Sequence, residues 1–141
     1  RAVMHLLSAG DIALASVEAL VIGRSALVGM PVCHLLLEAG ATVTVAHSRT
    51  ADLTQALARS DVVVSATGVA GLFGAHMCKD QAAVIDVGIS VREDGTLAGD
   101  MNAEDARRLR AYTPVPGGVG PVTVACLFEN LCDAYEACKG R

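Results

Sequence analysis

Ala19-Leu-Val-Ile-Gly-Arg-Ser-Ala-Leu-Val-Gly29 decides the fold. Its first four residues form an apolar run rich in β-formers and stopped by Gly23. A run without alternation predicts a strand buried on both faces, as in a parallel sheet. The period then changes. Val28, Val32, Leu35, Leu36 and Ala39 recur at helical spacing, Pro31 suits a first turn and Gly40 a stop.

The same alternation continues outward. Ala2 to Ala9 reads as a short helix ended by Gly10, and Asp11 to Ser16 as a connector. Thr42 to Ala46 predicts a second strand. Leu53, Ala56 and Leu57 mark a second helix of the repeating unit, capped by Thr50 or Asp52. Val62 to Ala66 and Ala83 to Val87 predict two more strands. Asp94-Gly95 is a hairpin signal between Ile89–Val91 and Thr96–Ala98. Asn102 predicts a helix cap, with Glu104 and Asp105 early and Arg107, Arg108 and Arg110 late, an order that suits the helix dipole. Ala111 to Thr113 is a candidate fifth strand. A last helix from about Pro121 is expected to bury Ala125, Phe128, Cys132 and Tyr135 on one face. Strand and helix in alternation predict an α/β fold: a doubly wound parallel sheet in a Rossmann-like three-layer αβα arrangement.

Composition narrows the function. With 141 residues the chain has the length of one domain, and 52% hydrophobic against 18% charged residues excludes a disordered chain. Aromatics are 3% and the net charge is −4, which argues against a base-stacking or phosphate-backbone binder, so no nucleic-acid partner is expected. The weakly charged stretches 62–78 and 111–128 are broken by glycine or proline, so no membrane span is expected. Five cysteines lack Cys-x-x-Cys spacing, which predicts free, mostly buried thiols and a cytoplasmic type of compartment. His5, His34 and His76 have no histidine partner one turn away, and no metal site is expected.

Ligands of doubly wound sheets bind at the carboxyl ends of the strands, so the residues just after each strand carry the chemistry. After the first come Gly23, Arg24 and Ser25. Gly23 permits a tight turn, Ser25 offers a hydroxyl, and the helix start offers N–H groups to a pyrophosphate. An ordinary strand-to-helix turn would read the same way, since Ser25 stands where Gly-x-Gly-x-x-Gly has glycine. After the second strand come Ser48 and Arg49, where an NAD-selective domain carries an acid. Arg49, with Arg24 from the first loop, suits a 2′-phosphate, because arginine presents a planar donor fork. The expected cofactor is NADP, with NAD possible. Thr67-Gly68 and Gly88-Ile89 follow the third and fourth strands. Thr113 to Thr123 holds three prolines and three glycines between the last strand and the last helix. Tyr135 and Lys139 have the Tyr-x-x-x-Lys spacing of short-chain dehydrogenases, but a partly buried tyrosine beside a solvated lysine explains them as well.

Together, Val21-Ile-Gly-Arg-Ser-Ala-Leu-Val-Gly-Met-Pro31, Ala41-Thr-Val-Thr-Val-Ala-His-Ser-Arg-Thr50, Val84-Ile-Asp-Val-Gly-Ile89 and Thr113-Pro-Val-Pro-Gly-Gly-Val-Gly-Pro-Val-Thr123 resemble the nucleotide-binding half of bifunctional methylenetetrahydrofolate dehydrogenase/methenyltetrahydrofolate cyclohydrolase. The resemblance implies a Gly-x-Ser first loop, with Gly23, Arg24 and Ser25 along the dinucleotide and Ser48 and Arg49 at the 2′-phosphate. It places Thr67, Gly68 and Ile89 along the ribose and nicotinamide side and Thr123 near the nicotinamide. It implies an NADP-dependent oxidoreductase with coupled cyclohydrolase activity in one-carbon metabolism, and a homodimer. Residues 1–141 would be the NAD(P)-binding domain alone. The family's catalytic Tyr-x-x-x-Lys pair, catalytic aspartate and tetrahydrofolate site belong to an N-terminal domain that these residues do not match. No catalytic residue is therefore expected in this chain, and Tyr135 and Lys139 do not transfer onto that pair. The alternatives are the nucleotide domain of an amino-acid or shikimate-type dehydrogenase, or a non-catalytic dinucleotide-binding module.

Overall fold

The structure, a computed structural model, describes residues 1–104 and 106–139. In chain order its elements are α1 (Ala2–Ala9), β1 (Glu18–Ile22), α2 (Gly29–Glu38), β2 (Thr42–Ala46), α3 (Leu53–Arg59), β3 (Val62–Ser65), β4 (Phe73–Gly74), β5 (Ala83–Asp86), β6 (Ser90–Val91), β7 (Leu97–Ala98), β8 (Met101–Asn102), β9 (Ala111–Tyr112) and α4 (Val119–Lys139). Five strands form one parallel sheet in the order β2-β1-β3-β5-β9. The chain runs from β1 to β2 on one side and then to β3 on the other. The sheet therefore changes winding direction between β1 and β3, and their carboxyl ends open a crevice there.

The unbroken apolar strands are explained by two cores. Ala19, Val21, Val62, Val64, Ala83 and Ile85 face one side, where they meet Val3 and Leu7 of α1, Val32, Cys33 and Leu36 of α2, and Val119 of α4. Leu20, Ile22, Val63 and Val84 face the other, against Ala56 and Leu57 of α3 and Phe73, Cys78 and Leu109 beyond it. Alternate side chains of one strand thus enter opposite layers, which is the expected αβα arrangement. Of the two caps foreseen for α3, Asp52 is the one used. Its Oδ1 accepts the Gln55 N–H at 2.8 Å.

Two expectations fail. No α-helix forms among the described residues of 102–110. Met101–Asn102 pairs in parallel with Phe73–Gly74, and only a 3₁₀ turn, Ala106–Arg108, follows. Asn102 is a turn former, its Oδ1 accepting the Glu104 N–H at 3.1 Å, while Asp105 lies outside the described residues. Arg108 is drawn to Asp80 at 2.7 Å and Arg110 to the Asp11 carbonyl at 2.8 Å, contacts across the fold rather than along a helix. In α4, the predicted apolar face is present but exposed, with Phe128 at 63% and Tyr135 at 60%. Ala125 and Cys132 are exposed as well, and Val119 and Cys126 are the buried positions. The buried stripe runs through Val119 and Cys126, and Ala125 and Phe128 lie on the helix outside it. Cys132 and Tyr135 are exposed for a further reason: a helix of 21 residues spans about 32 Å, a five-residue strand about 17 Å, and the last turns of α4 outrun the sheet.

Candidate functional site

The crevice is built from backbone approach. Gly23 ends β1 with φ +112°, a conformation that favours glycine, and its N–H donates to the Ala46 carbonyl at 2.8 Å. A Cβ at Gly23 would stand 2.7 Å from the Ala66 carbonyl oxygen, so the first and third loops touch main chain to main chain. Gly29 packs the first turn of α2 onto the Gly23 carbonyl, where any side chain would collide.

Ser25 has a different role from the one its hydroxyl suggested. Its Oγ accepts the N–H groups of Val28 (3.2 Å) and Gly29 (3.3 Å), and its carbonyl accepts that of Met30 (3.0 Å). The serine closes the start of α2 itself. Three of the N–H groups that sequence reasoning offered to a pyrophosphate are taken, while the Ser25 O–H proton remains a donor.

A cavity of about 530 Å³ lies over this turn. Gly23, Arg24 and Ser25 line it from the first loop, Ser48 from the second and Thr67 from the third. Five of the nine expected site residues thus meet in one place, and no carboxylate lines it. His47 and Thr50 also line it, and the sequence reading passed over both as ligand contacts. The His47 N–H donates to Thr50 Oγ1 at 2.9 Å, and His47 Nδ1 accepts the Arg49 N–H at 3.1 Å. The ring proton then sits on Nε2, which is a donor. Arg49 itself is exposed and does not line the cavity. The signal for His47 was its position, directly after a strand at the ligand edge.

Ile89 and Thr123 line a second hollow of about 370 Å³, between the end of β5, the 114–118 loop and the start of α4. Thr113 anchors that loop, its Oγ1 accepting the Asp86 N–H at 2.8 Å. The Thr123 hydroxyl donates to the Val119 carbonyl at 3.0 Å. Gly68 lines neither hollow, and a Cβ there would stand 3.6 Å from the Ile89 carbonyl oxygen.

Two buried carboxylates hold the loops between the hollows. Asp100 Oδ2 accepts Ser65 Oγ–H at 2.6 Å and the Thr67 N–H at 2.8 Å, while Oδ1 accepts the Val69 N–H at 2.9 Å. Asp86 accepts the Gly88 N–H at 3.0 Å and the Met101 N–H at 2.8 Å. Burial pushes the Asp86 carboxyl above its ordinary value, against the opposing pull of those N–H groups. Neither aspartate was singled out in the sequence, because each reads there as a polar residue beside a turn.

The Tyr135–Lys139 pair lies well away from these hollows. Lys139 Nζ stacks 4.7 Å from the Tyr135 ring on the exposed side of α4. Cys33, Cys78 and Cys126 are buried, and Cys132 and Cys138 are exposed; all five are free. No helix of the described residues is long and apolar enough to cross a membrane.

Comparison with known proteins agrees with this geometry. Residues 1–139 match the family model described as tetrahydrofolate dehydrogenase/cyclohydrolase, NAD(P)-binding domain. The chain is 50% identical over 135 residues to the bifunctional protein FolD of Paraburkholderia xenovorans, covering 95% of this chain and 47% of that protein. It superposes with a TM-score of 0.89, at 43% identity, on the FolD methylenetetrahydrofolate dehydrogenase/cyclohydrolase of Campylobacter jejuni, covering 92% of this chain and 46% of that one. The Trypanosoma brucei FolD enzyme, solved with NADP and an inhibitor, superposes at 0.86 with 43% identity and the same coverage. The chain spans about half the length of the curated relatives it matches. Its two-sided sheet, its Gly-Arg-Ser turn and its coverage by the family model lead to one assignment: the chain belongs to the tetrahydrofolate dehydrogenase/cyclohydrolase family, as an NAD(P)-binding domain.

Proposed function

We propose that this chain binds NADP along the carboxyl edge of its sheet and presents the nicotinamide to a folate held by the other half of a two-domain enzyme. The observation that carries the proposal is the 530 Å³ cavity at the winding change. It joins Gly23, Arg24, Ser25, Ser48 and Thr67 and contains no carboxylate. A 2′-phosphate would be repelled by an acid after β2, and here it meets Ser48, with Arg24 across the cavity. The contact of the Gly23 and Ala66 main chains holds the first loop against the third, and so fixes the floor on which a pyrophosphate would lie.

When bound, the cofactor supplies an oxidised nicotinamide ring that takes up hydride from the methylene bridge of the folate. Water then opens the resulting methenyl ring. The residues of this chain bind and orient. Ser25 fixes the start of α2, and Asp100 fixes the Thr67–Val69 loop. The hollow lined by Ile89 and Thr123 takes the nicotinamide end. Proton transfers at the folate belong to the half of the enzyme that this chain does not match, so the isolated chain should bind NADP and turn over folate negligibly. That other half is also the cover we assign to the apolar stripe on the last turns of α4.

The hairpin β6–β7, with Ile89 and Val91 exposed, is the proposed contact of a homodimer, because a short unpaired edge invites pairing with its copy. A cytoplasmic location accords with the free thiols. Calorimetric titration with NADP and NAD tests the central reading. NADP should bind at least tenfold more tightly, and Arg24→Ala and Ser48→Ala should each erode that ratio while leaving NAD affinity nearly unchanged. Equal affinities for the two nucleotides would reject the 2′-phosphate site.

A further inference from the structure

Helices α1 and α4 lie side by side on one face of the sheet, and polar side-chain contacts join them. Arg1 meets Asp133 at 2.6 Å, and His5 Nε2 meets Glu129 Oε2 at 3.2 Å. Beneath the second pair lies Cys126, 6% exposed. A ring nitrogen of His5, Cys126 Sγ and a carboxylate oxygen of Glu129 all lie within 4.8 Å of one another. We propose that these three residues form a site for a borderline-soft divalent cation, zinc by chemical class, that clips α1 to α4.

The geometry is close to what such an ion requires. Tetrahedral zinc with bonds of about 2.0–2.3 Å places neighbouring donor atoms roughly 3.3–3.7 Å apart. The His5–Glu129 distance already has that scale, and no gap in the trio need close by more than about 1 Å. Side-chain rotation supplies that movement, since the His5 and Glu129 side chains are half-exposed. Cys126 and Glu129 stand three residues apart on α4 and so share a face, and His5 faces them from α1. One nitrogen, one sulfur and one oxygen donor favour zinc over magnesium or calcium, which take oxygen ligands. A thiolate and a carboxylate with a neutral imidazole balance a 2+ charge. The fourth position is left to water.

His5, Cys126 and Glu129 line neither of the two hollows. Cys126 stands three residues beyond Thr123, about 4.5 Å further along α4. The expectation of no metal rested on local spacing, and His5 and Cys126 are too far apart in the chain for spacing to join them. The clip would also secure an eight-residue helix whose buried anchors are Val3 and Leu7.

The test uses cobalt(II) chloride added to the reduced chain. Cobalt should bind one to one and give a thiolate charge-transfer band in the near ultraviolet with tetrahedral bands in the visible. Cys126→Ser should abolish the charge-transfer band, and a Cys132→Ser/Cys138→Ser double variant should keep it. His5→Gln and Glu129→Gln change exposed side chains, so they guard against misfolding of the buried variant. Each should weaken cobalt affinity at least tenfold with an unchanged far-ultraviolet circular dichroism spectrum. Zinc should raise the Tm of the wild type by several degrees and of His5→Gln by far less. A wild type without the band, a band retained in Cys126→Ser, or affinity unchanged in His5→Gln would overturn the proposal and leave an ordinary His5–Glu129 contact above a core thiol.

Discussion

Ser65 Oγ donates to Asp100 Oδ2 at 2.6 Å, both side chains fully buried. The same carboxylate takes the N–H groups of Thr67 and Val69, so one aspartate from the link between β7 and β8 sets the loop between the two hollows. Asp100→Asn keeps the shape but turns a donor toward a donor. An unsatisfied buried group costs about 1–3 kcal/mol. Urea unfolding should show a loss of about 2 kcal/mol, and NADP affinity should fall with it. Ser65→Ala removes one of three donors and should cost about 1 kcal/mol.

Gly23→Ala should harm stability and binding together. The side chain would need φ +112° and would press on the Ala66 carbonyl. The left-handed conformation alone costs an L-residue roughly 1–2 kcal/mol. Circular dichroism melts should show a Tm lower by several degrees, and calorimetry a nucleotide affinity reduced at least tenfold. Wild-type affinity in this variant would mean that the turn does not carry the cofactor.

Two aspartates give stability opposite pH slopes. The Lys79 ammonium, by hydrogen bond, holds the Asp61 carboxyl below its ordinary value of 3.8. Its stabilisation is full above 3.8 and is lost as pH falls through the lowered value. Lys79→Met should flatten the acid side of the stability curve, with a loss near neutrality below about 1 kcal/mol, because the pair is partly exposed. Burial raises Asp86 instead, so its contribution is present below 3.8 and declines as pH rises through the raised value. Denaturant midpoints measured from pH 3 upward, at about half-unit steps, separate the two.

The thiols should divide into fast and slow. Burial pushes Cys78 up to about 11, so little thiolate forms near neutrality. Mass spectrometry of the chain alkylated briefly at mildly alkaline pH should find adducts on exposed Cys132 and Cys138 first. Early labelling of Cys78 would show that the layer beneath α3 opens readily.

The long strands were legible because burial on both faces leaves an unbroken apolar run, as in Val62-Val-Val. Met101–Asn102 was not legible, since two residues carry no period and their pairing with Phe73–Gly74 is decided across the fold. Charge order made 102–110 resemble a helix, but the arginines are drawn to Asp80 and Asp11 instead. The spacing along α4 identified residues that share a face, and spacing does not say what lies opposite. At the site, position after a strand located Gly23, Ser48 and Thr67. It could not show that Ser25 turns inward to Val28 and Gly29, or that Asp100 reaches Thr67 from 33 residues away.

The two buried aspartates cross. A side chain at Gly88 would run into the Asp100 carboxylate, and one at Gly99 into that of Asp86. Each acid occupies the space its opposite glycine leaves empty. Descent with modification is therefore constrained in order at these four positions. A larger residue at 88 is tolerated only in a background where position 100 has already shrunk. At 99 the Val115 side chain stands in the way as well, so both 86 and 115 would have to yield first.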